Sequence, residues 1–247
     1  LAAIAETLTT RDQAKTRERI FYTGMSVAIL ATVFAGFSRT FYLRPHFQQV
    51  QPLVPLLIVH GIVFSSWILL LITQTSLVAA RRTRTHMKLG IAGGVLAASM
   101  VVIGTVTAIV RAKGSVSPIP GVNPLSFLTI PLGDMLVFAI LIGAAFYFRR
   151  KPDVHKRLML LATIGILPAA VARLPFDFIQ RAGPLAFFGL SDLFIIPCLI
   201  YDLATRGRPH RATMIAGALI VISHPLRMVI GGTHAWLVFA TWLTHWT

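Results

Sequence analysis

Apolar residues run through this chain in stretches of about 20, separated by short polar turns rich in Lys and Arg. A helix rising about 1.5 Å per residue needs about 20 apolar residues to cross ~30 Å of hydrocarbon. Backbone groups in lipid must find partners within the chain, so runs of this length predict helices. Seven are predicted, at about 20–40, 52–80, 88–110, 127–148, 157–175, 186–204 and 211–231. The strict alternation of a membrane barrel strand is absent. A last apolar stretch, 234–247, would reach only about 21 Å as a helix. With Trp236, Trp242 and Trp246 it is expected to lie at the membrane interface. The expected fold is therefore an all-α seven-transmembrane-helix bundle. Residues 1–19 form an N-terminal segment, 20–231 the membrane domain and 232–247 an interfacial segment.

Composition agrees. Of 247 residues, 55% are hydrophobic and 13% charged, with a mean hydropathy of +0.75; soluble domains carry about 25% charged residues. The net charge of +15 does not point to nucleic acid, because its sources are clustered between apolar runs. Sixteen of the 23 Lys and Arg residues precede helix 1 or join helices 2 to 3, 4 to 5 and 6 to 7. Basic turns favour the cytoplasm. The N-terminus is thus expected inside and the C-terminus outside, in a cytoplasmic (inner) membrane of bacterial type. Residues 1–19 lack the order of a cleavable signal peptide. Membrane lipids are the expected partners, with a membrane redox complex or a second copy of the chain as further ones.

Several features bear on packing. Helix 3 carries Gly90, Gly93, Gly94, Ala97, Ala98 and Gly104; small residues let helices approach closely in lipid, so it is expected at the centre. Pro168, Pro197 and Pro225 fall inside helices 5, 6 and 7 and are expected to kink them. The segment Gly114–Pro131, with four prolines, reads as an ordered, non-helical loop on the outer face. Three basic turns each contain a histidine (His86, His155 and His210), which reads either as a faint two-helix repeat or as a common property of short inner turns.

Ionisable residues inside lipid are costly and face partners or a cavity. His60, Asp134, Asp192 and His224 lie on four helices, roughly 9–14 Å below the outer boundary. Arg173 and Arg227 sit near the outer helix ends. Three readings follow. The acids and arginines can simply neutralise each other. His60 and His224 can be axial ligands of haem b, with Arg173 and Arg227 on its propionates. His60, His224, Asp134 and Asp192 can hold a divalent metal such as zinc. Intramembrane Asp and His also build proton relays, as in a cofactor-free proton- or ion-coupled transporter. His86 and His155 make a second possible pair at the inner ends of helices 3 and 5, where contact with lipid headgroups or loops is the plainer expectation. Trp67, Gln74 and Thr75 on helix 2 read as packing. The lone Cys198 excludes an intrachain disulfide and any Cys-based metal cage. No phosphate-binding loop or nucleophile elbow occurs, and helix 7 has no lysine for a retinal Schiff base.

The segment His60-Gly61-Ile62-Val63-Phe64-Ser65-Ser66-Trp67, then Ala80-Arg81-Arg82 and His86, resembles the cytochrome b561 family. The resemblance covers residues 60–104. It implies electron transfer through bis-histidine haems and maps axial ligands to His60 and His86. In that family the partner histidines come from the two following helices. Here helix 4 has Asp134 in the corresponding region, helix 5 offers only His155 at its inner end, and His60 would take His224. The rest of the chain resembles bacterial seven-helix membrane proteins. The expected role is electron transfer or respiratory-complex assembly, with a transporter or a structural accessory subunit as the alternatives.

Overall fold

A computed structural model describes residues 2–47, 52–114 and 121–245, with side chains from Gln13 onward. All regular structure among them is helical: α1 (Ala2–Phe37), α2 (Pro55–Ala79), α3 (Thr83–Lys113), α4 (Pro124–Phe127), α5 (Thr129–Tyr147), α6 (Pro152–Gly165), α7 (Pro168–Val171), α8 (Asp177–Ala182), α9 (Pro184–Asp192), α10 (Ile195–Arg206), α11 (Arg211–Gly231) and α12 (His234–His245). Seven helical stretches are long and apolar enough to cross a membrane. The end that carries the turns after α2, α5 and α10 is the basic end; the other is the far end.

The centre of the bundle is not α3. Within its most apolar 18 residues, Pro152–Val171 has 67% of positions buried, against 33% for the corresponding part of Thr83–Lys113. The glycine stripe of α3 serves close approach on one side only, with Phe146 against Gly94 and Leu70 against Gly93, while Ile91, Val95 and Val102 face outward. The core lies among α5, α6 and α11, around Phe138, Leu161, Ile164, Ala216 and Ile220. Trp67 of α2 is held there as well. Its indole N–H donates to Thr163 Oγ1 at 3.1 Å and its ring meets Phe138 edge-on.

Two of the three intramembrane prolines break their helices. Pro168 has no N–H for the carbonyl of Ile164, which accepts from Leu167 instead, and α6 gives way to α7. Pro197 likewise leaves the carbonyl of Leu193 to Ile196, and α9 ends at Asp192. Pro225, by contrast, lies within a continuous α11. The expected long outer loop is also shorter than its prolines suggest. Asn123 caps α4 through its side chain, Pro124 opens it, and Pro131 falls in the first turn of α5, where no backbone donor is needed. Residues 115–120 of that loop lie outside the described ones.

The expected interfacial segment forms α12, packed on α3 and α4 at the far end. Trp236 donates to the carbonyl of Leu125 at 2.7 Å. Ala240 and Thr244 face inward, whereas Val238, Phe239 and Trp242 are exposed.

At the basic end, Asp202 ties three helices together. Its carboxylate accepts from Arg157 Nε at 2.9 Å and from Arg157 Nη2, from the His210 backbone N–H at 3.1 Å and from the Thr213 hydroxyl. Asp202 and Arg157 are both buried. His210 caps α11, its ring Nδ1 accepting from the Ala212 N–H at 3.0 Å. That role needs an unprotonated Nδ1, and burial together with the charge of Arg157 holds the imidazole below its ordinary pKa. Breaking a buried pair strands a charge. Asp202→Asn or Arg157→Leu alone should therefore cost about 3–5 kcal/mol in detergent unfolding, and the double variant less than the two summed.

Candidate functional site

The predicted polar residues separate into two groups. In the first, at the far end, α11 supplies His224 and Arg227, α5 supplies Asp134 and α9 supplies Asp192. Arg227 Nη1 pairs with Asp134 Oδ1 and Nη2 donates to Ser223 Oγ at 2.9 Å. Arg227 and Asp134 are 5% and 7% exposed, so this is an ion pair inside the bundle. One turn of α11 earlier, His224 Nδ1 lies 3.2 Å from Asp192 Oδ2. Phe188 of α9 stacks on the His224 ring, with centroids 4.0 Å apart and planes at 12°, and its face also lies 6.0 Å from the Arg227 guanidinium. The helix break at Pro197 is what sets Asp192 at a free helix end opposite His224. Asp192 Oδ1, His224 Nε2 and Arg227 Nε are buried without a hydrogen-bond partner.

Three glycine or serine positions make this arrangement possible. A Cβ on Gly133 would lie 2.3 Å from Arg227 Nε, so the guanidinium reaches Asp134 only across a bare backbone. Gly231 lets α11 approach the Ser126 carbonyl, 2.7 Å from where its Cβ would stand. Ser223, four residues before Arg227, takes the remaining guanidinium edge. Sequence reasoning missed all of these and Phe188. The available signals were adjacency and helical spacing: Gly133 precedes Asp134, and Phe188 precedes Asp192 by one turn.

The other expected members stand apart. His60 stacks on Phe64 of its own helix, with centroids 4.1 Å apart, and its buried Nδ1 has no partner. Gly61 beside it accommodates the Phe41 ring, 2.3 Å from the position of a Cβ. No contact joins His60 to His224 among the described residues. Arg173 does not pair with an aspartate either; it lies over the Phe37 ring at 4.8 Å and donates to the Ala169 carbonyl. Among the described residues no three His, Cys, Asp or Glu side chains gather closely enough to hold a metal ion. His224 and Asp192 meet, Asp134 is taken by Arg227, and His60 is elsewhere.

The second group is at the basic end. His86, in the first turn of α3, and His155, in the first turn of α6, face each other with ring centroids 6.5 Å apart and planes at 78°. His155 Nδ1 is 2.8 Å from the Ala145 carbonyl and donates to it, leaving Nε2 free. His86 Nδ1 is buried with no partner, and Gln74 Nε2 donates to the His86 carbonyl at 3.3 Å. Of the three turn histidines, these two meet, while His210 serves as a helix cap.

No protein-family model, curated protein or solved structure matches the chain. What the fold and the two groups define is a multi-pass, all-helical membrane protein with seven helices fit to span.

The tight approach at Gly133 yields a stability test. Gly133→Ala must push Arg227 off Asp134 and should lower thermal stability in detergent by about 1–3 kcal/mol. Gly143→Ala, where a Cβ would meet nothing within 4 Å, should leave it unchanged.

Proposed function

We propose that the protein is a membrane electron-transfer protein that holds haem b at the basic end of the bundle, between His86 and His155. The observation that carries this reading is the apposition of those two imidazoles. Two imidazoles bound on opposite sides of one metal ion through nitrogens about 2 Å away have centroids about 6 Å apart. The 6.5 Å spacing here is close to that. A ligating histidine also needs its second nitrogen tied down, which fixes ring and tautomer; the Ala145 carbonyl does this for His155. The Nδ1 of His86 is buried without a partner. Gly90 lies one turn along α3 from His86, and a Cβ there would be in ordinary contact with Gln74 Nε2 at 3.8 Å.

The chain's own residues supply position and charge. His86 and His155 are held by two different helices, so their separation is set by the packing of α3 and α6 around α5. Arg84 and Lys88 at the start of α3, and Arg149 and Lys151 in the turn before α6, surround the two histidines with charge that suits carboxylate groups at that end. Bound there, haem carries one electron at a time. The resemblance to the cytochrome b561 segment independently points to His86. His60 and His224, the pair first expected, have separate neighbours, so the reading rests on the other two histidines.

The test is an absorption spectrum of protein purified from haem-replete cells, before and after dithionite. The expected result is a Soret band with sharp reduced bands, abolished by His86→Ala and by His155→Ala and retained in His60→Ala and His224→Ala. A colourless wild type would end the haem reading. Bands that survive both substitutions would end the ligand assignment.

A further inference from the structure

We infer that Asp134, Asp192, His224 and Arg227 together form a binding site for a single proton, shared between His224 and Asp192. The argument is one of charge. Two carboxylates and one guanidinium leave the group one positive charge short. His224, Asp134 and Arg227 are buried, and Asp192 is mostly so. An uncompensated charge in an apolar interior is strongly disfavoured. Arg227 pairs with Asp134 and donates to Ser223, and among the described residues no hydrogen bond joins it to Asp192. The missing charge belongs beside Asp192, and the group that lies there is the His224 imidazole, 3.2 Å away.

A proton suits this space better than a metal ion. Hard cations need several oxygen ligands, and Asp192 Oδ1 is the one carboxylate oxygen of the cluster left buried without a partner. The geometry also gives the proton a direction of entry. The Asp192 side chain is 22% exposed and that of His224 4%, so Asp192 is the port and His224 the inner member. Transfer inward breaks the Asp192 carboxyl O–H as the His224 Nδ1–H forms, and no electron changes hands. Phe188 stacks on the imidazole and keeps its plane aimed at Asp192. His224 Nε2, buried and unpartnered, is where the proton can be passed on. The charged groups facing the pair are Arg227 on α11 and Asp134 on α5; no further ion pair among the described residues reaches it. The inference shares no residue with the haem reading and stands if that reading fails.

The test uses the full chain in nanodiscs, labelled with ¹⁵N-histidine and assigned by His224→Gln. Histidine nitrogen shifts and the infrared carbonyl stretch of protonated carboxyl groups are followed between about pH 5 and 8, where imidazoles titrate. The expected result near neutral pH is one proton on the pair. It is read either as an imidazolium signal from His224 or as a carboxylic-acid band removed by Asp192→Asn, and the titration is the same in sodium and choline chloride. Asp192→Glu shifts the band rather than removing it, and it replaces the Asn variant if that does not fold. A neutral His224 with no acid band would overturn the inference. So would an acid band that vanishes only in Asp134→Asn, or a titration set by sodium.

Discussion

A guanidinium in the interior of a membrane bundle has no water to hold its charge, and the far half of this structure is organised around meeting that need for Arg227. Its partner Asp134 comes from α5, its remaining edge goes to Ser223, and the path between the helices is cleared by Gly133. The same helix is clamped at its other end by Asp202, which joins Arg157 of α6 to Thr213 and the His210 backbone. α11 is thus fixed at both ends by carboxylates on neighbouring helices. In lipid, close packing and interhelical hydrogen bonds act together to hold helices in place, and on α11 these polar anchors add to the close approaches at Gly217 and Gly231.

The two anchors differ in completeness. Asp202 accepts from a guanidinium, a backbone N–H and a hydroxyl, and its surroundings leave only a small gap, no larger than about one water, beside Tyr22, Cys198 and Tyr201. It is a finished structural joint. The far cluster retains three buried polar atoms without partners and a carboxylate that Arg227 does not reach. Each buried polar group without a partner calls for an explanation, and ionisable groups within membrane helices mark proton or ion pathways. Electron chemistry at the basic end and proton chemistry at the far end would then occupy opposite ends of one rigid core.

The number of helices and their approximate positions were legible in the sequence, because membrane thickness fixes the length of an apolar run. His60, Asp134, Asp192 and His224 could also be placed near one depth, with Arg173 and Arg227 nearer the helix ends, and of these six the structure brings Asp134, Asp192, His224 and Arg227 together. Depth says nothing of direction around a helix axis, however. His60 shares the expected depth but stacks on Phe64 of its own helix. His86 and His155 could be named as a possible pair from their shared end of the bundle, but their meeting depends on α3 and α6 both packing on α5, which the sequence does not give. The prolines were half legible. Pro168 and Pro197 break their helices, while Pro124 and Pro131, which read as loop, open helices at positions that need no donor. The glycine stripe of α3 marked close packing correctly but not that it lies on one side of a peripheral helix.

In the proposed function, His86 and His155 would hold the iron of one haem between α3 and α6. Electron paramagnetic resonance of the oxidised protein, purified from haem-replete cells, addresses this directly, because two imidazoles holding one ferric haem would give a low-spin signal. The account predicts that signal in the wild type and its loss in either single histidine variant. A protein with no low-spin ferric signal, or one whose signal persists without His86 and without His155, would contradict it.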